Sequence, residues 1–155
     1  MKNKYNNKNK NIYKNKNNYK SDYHFINIVD ENKYYNNSFY NLNINVSNIE
    51  KAGFGVFSQE FIPKDSIVGY YEGTIINTPF HGDYYFEINE SNGIDAGQFP
   101  RCYMAMINDA RGSLYKNNCK FVIDDKNFLV EIWSIKNIYP GEELFINYGS
   151  SYWSW

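Results

Sequence analysis

The stretch Gly141-Glu142-Glu143-Leu144-Phe145-Ile146-Asn147-Tyr148-Gly149 lies near the end of a 155-residue chain and decides how the rest is read. Taken alone it is a Pro140-Gly141 turn, two carboxylates and a strand that carries a tyrosine. Adjacent residues of a strand point to opposite faces, so Glu142 and Glu143 cannot act together as an acid–base couple. Their expected role is structural. The meaning of the stretch comes from what precedes it and in which order.

Working outward, two strands come just before it, Cys119 to Ile123 and Phe128 to Trp133, with Asp124-Asp125-Lys126-Asn127 as a hairpin turn between them. An Asn118-Cys119 pair opens the first of these strands. The best helical candidate is short, Cys102 to Asn108. Further upstream Gly93-Ile94-Asp95-Ala96 reads as a turn into a short strand, Asp83 to Ile88 as a strand, and Ile67 to Ile76 as a strand interrupted at Gly73. Leu42, Ile44 and Val46 alternate with Asn43, Asn45 and Ser47, the period of a half-buried strand. Ala52-Gly53-Phe54-Gly55 follows, a G-x-G that allows a tight turn and close approach of backbone to a ligand. It lacks the third glycine and the long helix of a dinucleotide site. His24-Phe25-Ile26-Asn27-Ile28-Val29 is a further short strand candidate. Many short strands and almost no helix make the chain mainly β.

Composition supports a strand-rich globule: 43% of residues are apolar and 19% aromatic, with 16 Tyr and 11 Phe. The net charge of -1 conceals an asymmetry. Residues 1–20 hold seven of the 16 basic residues and no acid, so in residues 21–155 nine basic residues face all 17 acidic ones, a net charge of -8. Residues 1–22 form an Asn/Lys-rich tail with nothing to bury, for which disorder is expected, together with weak contact to nucleic acid through its lysines. Residues 23–39 are a poorly defined lead-in, 40–150 a single domain, and 151–155 an aromatic tail. The acidic body suits a basic protein as partner.

Other chemistries find little support. His24 and His81 are too few and too scattered for a metal site, and neither sits in a nucleophile setting. Cys102 and Cys119 form no C-x-x-C pair and read as buried thiols of a reducing compartment. No apolar run reaches membrane-spanning length, and the first residues lack the apolar core of a signal peptide. The expectation is an intracellular protein, nuclear or cytoplasmic, with no membrane association.

The ordered set is a G-x-G after a strand, Tyr71-Glu72-Gly73, Ile94-Asp95-Ala96, Ile107-Asn108, Asn118-Cys119, and G-E-E-L-x-x-x-Y-G ending at Gly149. It resembles the SET domain of protein lysine methyltransferases over roughly residues 40–150. The resemblance implies a β-clip fold of several small sheets with a threaded, knot-like C-terminal strand. It implies S-adenosyl-L-methionine as cofactor and methylation of a lysine in a basic protein, a histone tail foremost. A non-catalytic SET-like interaction module is the competing expectation.

By the same resemblance Ala52, Gly53, Phe54 and Gly55 line the cofactor, Asn108 holds its amino group, and Asp109 reaches the adenine through its backbone. Tyr148 is the catalytic tyrosine. Tyr71 lines the lysine channel beside it, with Ile146 two residues before Tyr148. The aromatic tail itself offers two readings: Tyr152 and Trp153, with Trp155, fold back over the channel or the adenine, or they pack on the body or a partner subunit. An aliphatic Ile146 implies di- or trimethylation. The chain departs from the family pattern in Asp109 where histidine is usual, in Asn147 where aspartate is usual, and in the ten-residue step from Asn108 to Asn118. No cysteine cluster follows Gly149, which removes a zinc-bound cap, favours a homodimer that covers the open cleft, and would suit a large DNA virus as source.

Overall fold

The computed structural model describes residues 29–77 and 82–154. The tail 1–22, most of the strand expected from His24, His81 and Trp155 lie outside the described residues.

Among the described residues, ten short strands form four small sheets. β1 (Tyr34–Tyr35) pairs in parallel with β8 (Arg101–Cys102). β2 (Leu42–Val46) and β3 (Phe54–Ser58) are an antiparallel pair. β5 (Thr74–Ile76), β7 (Asn92–Asp95) and β6 (Tyr85–Asn89) form a three-stranded antiparallel sheet with β7 central. The last sheet is β4 (Ile67–Tyr70), β10 (Leu129–Ser134) and β9 (Cys119–Asp124), with β10 central. The expected strand from 67 to 76 thus belongs to two sheets, parting at the residues before β5.

Alternation explains the faces. Leu42 and Ile44 of β2 are buried with Val56 of β3 opposite Ile44, whereas Val46 at the strand end is exposed. In β10 the buried set is Val130, Ile132 and Ser134. The β9–β10 turn falls where the sequence places it: the Asp124 carboxylate accepts from the Asn127 backbone N–H at 3.2 Å and from its Nδ2 at 2.7 Å. Val56, Ile62, Val68, Ile132, Ile138 and Leu144 are fully enclosed at the junction of the sheets.

Three expectations change. The helical candidate becomes β8 followed by a single 3-10 turn, Tyr103–Met106. Met104, Ala105, Met106 and Ile107 are all buried, so the segment has no polar face to offer solvent, and four residues are too few to sustain an α-helix. Part of the lead-in belongs to the body: β1 pairs with β8, and the Phe39 N–H donates to the Val68 carbonyl at 2.8 Å.

Residues 141–149 are extended but form no regular strand, because their partners alternate among three segments. The Leu144 N–H donates to Val56 O and the Ile146 N–H to Asn108 O, while Phe145 O accepts from the N–H groups of Asn118 and Cys119. The Asn118 side chain completes the seal, accepting from the Phe145 N–H at 2.8 Å and donating to Glu143 O at 2.9 Å. The segment therefore passes between the two ends of the loop that runs from Asn108 to Asn118. This is the threaded arrangement.

Candidate active site

The site begins at the turn between β2 and β3. Gly53 has φ +75°, a conformation that costs glycine little and strains other residues. Gly55 is required for another reason: a Cβ there would overlap the Glu143 carboxylate. Glu143 is 3% exposed and accepts from Ser47 Oγ at 2.7 Å, the Asn48 N–H at 2.7 Å and Asn108 Nδ2 at 3.3 Å. Asn108 Nδ2 also donates to Phe54 O at 2.9 Å. One buried carboxylate thus ties together the G-x-G turn, Asn108 and the threaded segment, while Glu142 stays exposed. Hydrogen bonds to a charged acceptor are the strong kind, which makes this cluster a rigid base for the site.

Two tyrosines stand near that base. The Tyr148 hydroxyl donates to Ile107 O at 2.8 Å, just after the 3-10 turn, and the Tyr71 hydroxyl donates to Tyr84 O at 2.8 Å. Burial, foremost, pushes both hydroxyls well above the ordinary tyrosine range; the Cys102 and Tyr148 groups add to this at Tyr71, and Tyr152, Tyr84 and Asp109 add at Tyr148. Both are therefore neutral phenols near neutral pH, able to orient a ligand but not to serve as phenolate bases. Phe86 packs tilted against Tyr71 and Phe121 meets it in a T-shape, at centroid distances of 5.7 and 6.3 Å, and the two complete an aromatic wall that the sequence did not single out.

The tail folds back onto Tyr148. Trp153 stacks on its ring, 6.1 Å between centroids and 13° between planes, and Tyr152 meets it edge-on at 4.7 Å. Asp109 holds this arrangement. Its Oδ2 accepts from the Tyr148 backbone N–H at 2.9 Å and from Trp153 Nε1 at 3.1 Å, and Oδ1 accepts from the Arg111 N–H at 2.8 Å. The residue expected to act through its backbone alone also works through its side chain. The signal for that was the carboxylate in place of histidine, with an indole N–H beyond Gly149 to receive.

These parts enclose one cavity of about 630 Å³. Of the residues singled out in the sequence, Ala52, Gly53, Phe54, Tyr71, Asn108, Asp109, Tyr148, Tyr152 and Trp153 line it. Gly55 and Ile146 do not. Gly55 faces Glu143, and Ile146 is 1% exposed within the core. Leu144, Ile146 and Tyr148 share an alternation, but the first two are spent on the core and only the tyrosine reaches the cavity wall. Tyr34, Asp83, Tyr84, Phe86, Met104 and Phe121 are lining residues that sequence reasoning missed.

Comparison with known proteins agrees with this geometry. Among solved structures, a crystal structure of KRYPTONITE in complex with mCHG DNA and SAH is similar at 29% identity and a TM-score of 0.61, covering 72% of the present chain and 24% of that chain. The present chain thus spans about a quarter of that protein. No curated protein was found to match. The SET domain family profile matches residues 53–149, from the G-x-G turn to the glycine after Tyr148. That span holds most of the cavity wall, from Gly53 to Tyr148, and the chain belongs to the SET-domain family.

Proposed function

We propose that the chain is an S-adenosyl-L-methionine-dependent protein-lysine N-methyltransferase acting on a basic protein such as a histone, within a cell. One observation carries the reading: a single cavity is lined by Gly53 and Phe54 of the G-x-G turn, by Asn108, and by Tyr71 and Tyr148 with their neutral hydroxyls. The net charge of -8 over residues 21–155 and the exposed Asp83 at the cavity suit a cationic substrate.

The residues present fit the cofactor. A volume of 630 Å³ lies within the roughly 300–1,000 Å³ typical of such sites. Gly53 leaves open space where a side chain would begin. Asn108 has Nδ2 committed to Phe54 and Glu143, so what it offers an amino group is an acceptor oxygen, the correct polarity. When bound, the sulfonium supplies an electrophilic methyl group.

The chain's own residues then have two tasks. The first is orientation. A hydroxyl that donates to a backbone carbonyl keeps lone pairs free, so Tyr148 and Tyr71 can accept from amine N–H groups and leave the nitrogen lone pair pointing elsewhere. The second is to favour neutral amine. A free lysine has a pKa near 10.4, so its deprotonation at pH 7 costs roughly 4–5 kcal/mol. A partly enclosed aromatic wall disfavours the ammonium and lowers that cost. Since Ile146 is in the core, it gives no ground for expecting di- or trimethylation.

The test is methyl transfer from labelled S-adenosyl-L-methionine to mixed core histones, with Tyr148→Phe alongside. Labelling that falls at least tenfold in Tyr148→Phe is the expected result. No label on any basic protein, together with no cofactor binding by calorimetry, would leave the chain as a non-catalytic member of its family.

A further inference from the structure

Arg101 is 7% exposed, yet among the described residues no carboxylate lies within ion-pair distance of it. Its guanidinium is fixed instead by neutral groups. Nε donates to Ala96 O and Nη2 to Gly97 O, both at 2.8 Å, and Nη1 lies 3.6 Å from Met106 Sδ. The cation covers the Tyr84 ring at 3.4 Å and the Phe99 ring at 4.6 Å. Tyr84 and Met106 are cavity wall, and Tyr84 O is the acceptor for the Tyr71 hydroxyl. A buried charge without a counter-charge is costly, and a neutral amide donor could hold the Ala96 and Gly97 carbonyls without that cost.

We propose that Arg101 is an electrostatic positioning residue of the substrate-amine end of the cavity: its fixed, uncompensated charge behind Tyr84 and Met106 opposes a second cation there and favours the neutral amine. This rests on the amine-methylating reading above. The step it assists is loss of one proton from the ammonium to solvent before methyl transfer, and Arg101 itself exchanges no proton and forms no bond.

The charges that face the cavity make the role specific. Glu50 and Lys51 sit on one lip, 3.8 Å apart, Asp83 on the other, and Asp109 and Arg111 beneath the tail. Three carboxylates and two cations leave a net of -1, which would hold an ammonium in place; Arg101 offsets it. The remaining ionisable lining groups are tyrosines, with Tyr71 and Tyr148 held neutral. Behind the wall, Asp95 spends Oδ1 on the Gly97 N–H at 2.8 Å. The field of Arg101 also reaches Tyr34 and Tyr71, where it works against the upward push of burial, and at Tyr71 it outranks Asp95.

The experiment is the pH profile of kcat with saturating core histones for wild type, Arg101→Gln, Arg101→Met and Arg101→Lys. The neutral variants are expected to lose about tenfold in kcat near pH 7.5, a shift of about one unit in the amine midpoint, and to recover above pH 9.5. Arg101→Lys keeps the charge and the wild-type midpoint. A loss by the same factor at every pH in a folded neutral variant reduces Arg101 to a clip and overturns the proposal. A second readout needs no turnover: spectrophotometric titration of the Tyr34 phenol, assigned by difference from Tyr34→Phe, should move to higher pH in the neutral variants. If wild type transfers no methyl group, the proposed function fails on its own, and the Tyr34 titration still decides whether the field exists; an unmoved midpoint sinks it.

Discussion

The Glu143 carboxylate occupies the space that a Cβ on Gly55 would need, so the second glycine of the G-x-G turn exists to admit a buried anion from the threaded segment. A methyl group there must displace Glu143 from Ser47, Asn48 and Asn108 together. Gly55→Ala is therefore expected to cost about 1–3 kcal/mol from overpacking, and Glu143→Gln about 1.5–3 kcal/mol from loss of charge-assisted bonds. Urea unfolding of the single and double variants checks this. The double variant should lose clearly less than the sum, since both changes break one cluster. Additive losses would mean that the two residues do not share it.

Asp109 gives a second expectation. Asp109→Ala leaves the Tyr148 backbone N–H and Trp153 Nε1 without their acceptor, at about 1–3 kcal/mol for a buried group. Trp153→Phe removes only one of those donors and should cost less, about 0.5–1.5 kcal/mol. Near-UV circular dichroism should report loss of the Tyr148–Trp153 stack in Asp109→Ala. An unchanged aromatic spectrum would show that the tail keeps its place without the carboxylate.

What the sequence disclosed, and what it hid, follows from how far apart partners are. The β2 alternation and the Asp124 turn are local, and both stand where the spacing puts them. The order of Gly53, Tyr71, Asn108 and Tyr148 pointed to one cavity, and the four do line it. The strand expected at 141–149 has no ladder because the Asn118 side chain does part of the pairing, a substitution invisible to strand patterns. Ile146 was placed on the channel by its distance from Tyr148, but alternation sets only the face, not whether that face meets core or cavity. The side-chain partner of Asp109 and the role of Arg101 were hidden by distance along the chain: Tyr148 lies 39 residues from Asp109, and the ring under the Arg101 guanidinium is that of Tyr84.

The position of Ile146 separates core from channel by experiment. Ile146→Val should cost about 0.5–1.5 kcal/mol and Ile146→Ala about 2–5 kcal/mol, the range for buried aliphatic truncation. Mass spectrometry of methylated product should show the same distribution of methyl states for Ile146→Val as for wild type. A changed distribution at unchanged stability would return the residue to the channel.

The last expectation concerns alkaline pH. Burial holds the Cys119 thiol up at about 12 from its ordinary value of 9.0, and raises Cys102, Tyr71 and Tyr148 as well. All four are acids that are neutral when protonated, and the folded state keeps the proton longer than the unfolded chain does. Their contribution to stability is therefore complete below the unfolded values and is lost as pH rises past them toward the folded ones. Urea midpoints should hold steady from about pH 7 to 8.5, decline above pH 9 as unfolded cysteines ionise, and fall faster above pH 10 when the tyrosines join. Each group adds at most about 1.4 kcal/mol per pH unit. Cys119→Ala should flatten the part of the decline between pH 9 and 10, against a lower starting stability. A slope there that is unchanged by Cys119→Ala would show that the thiol is not held protonated by its burial.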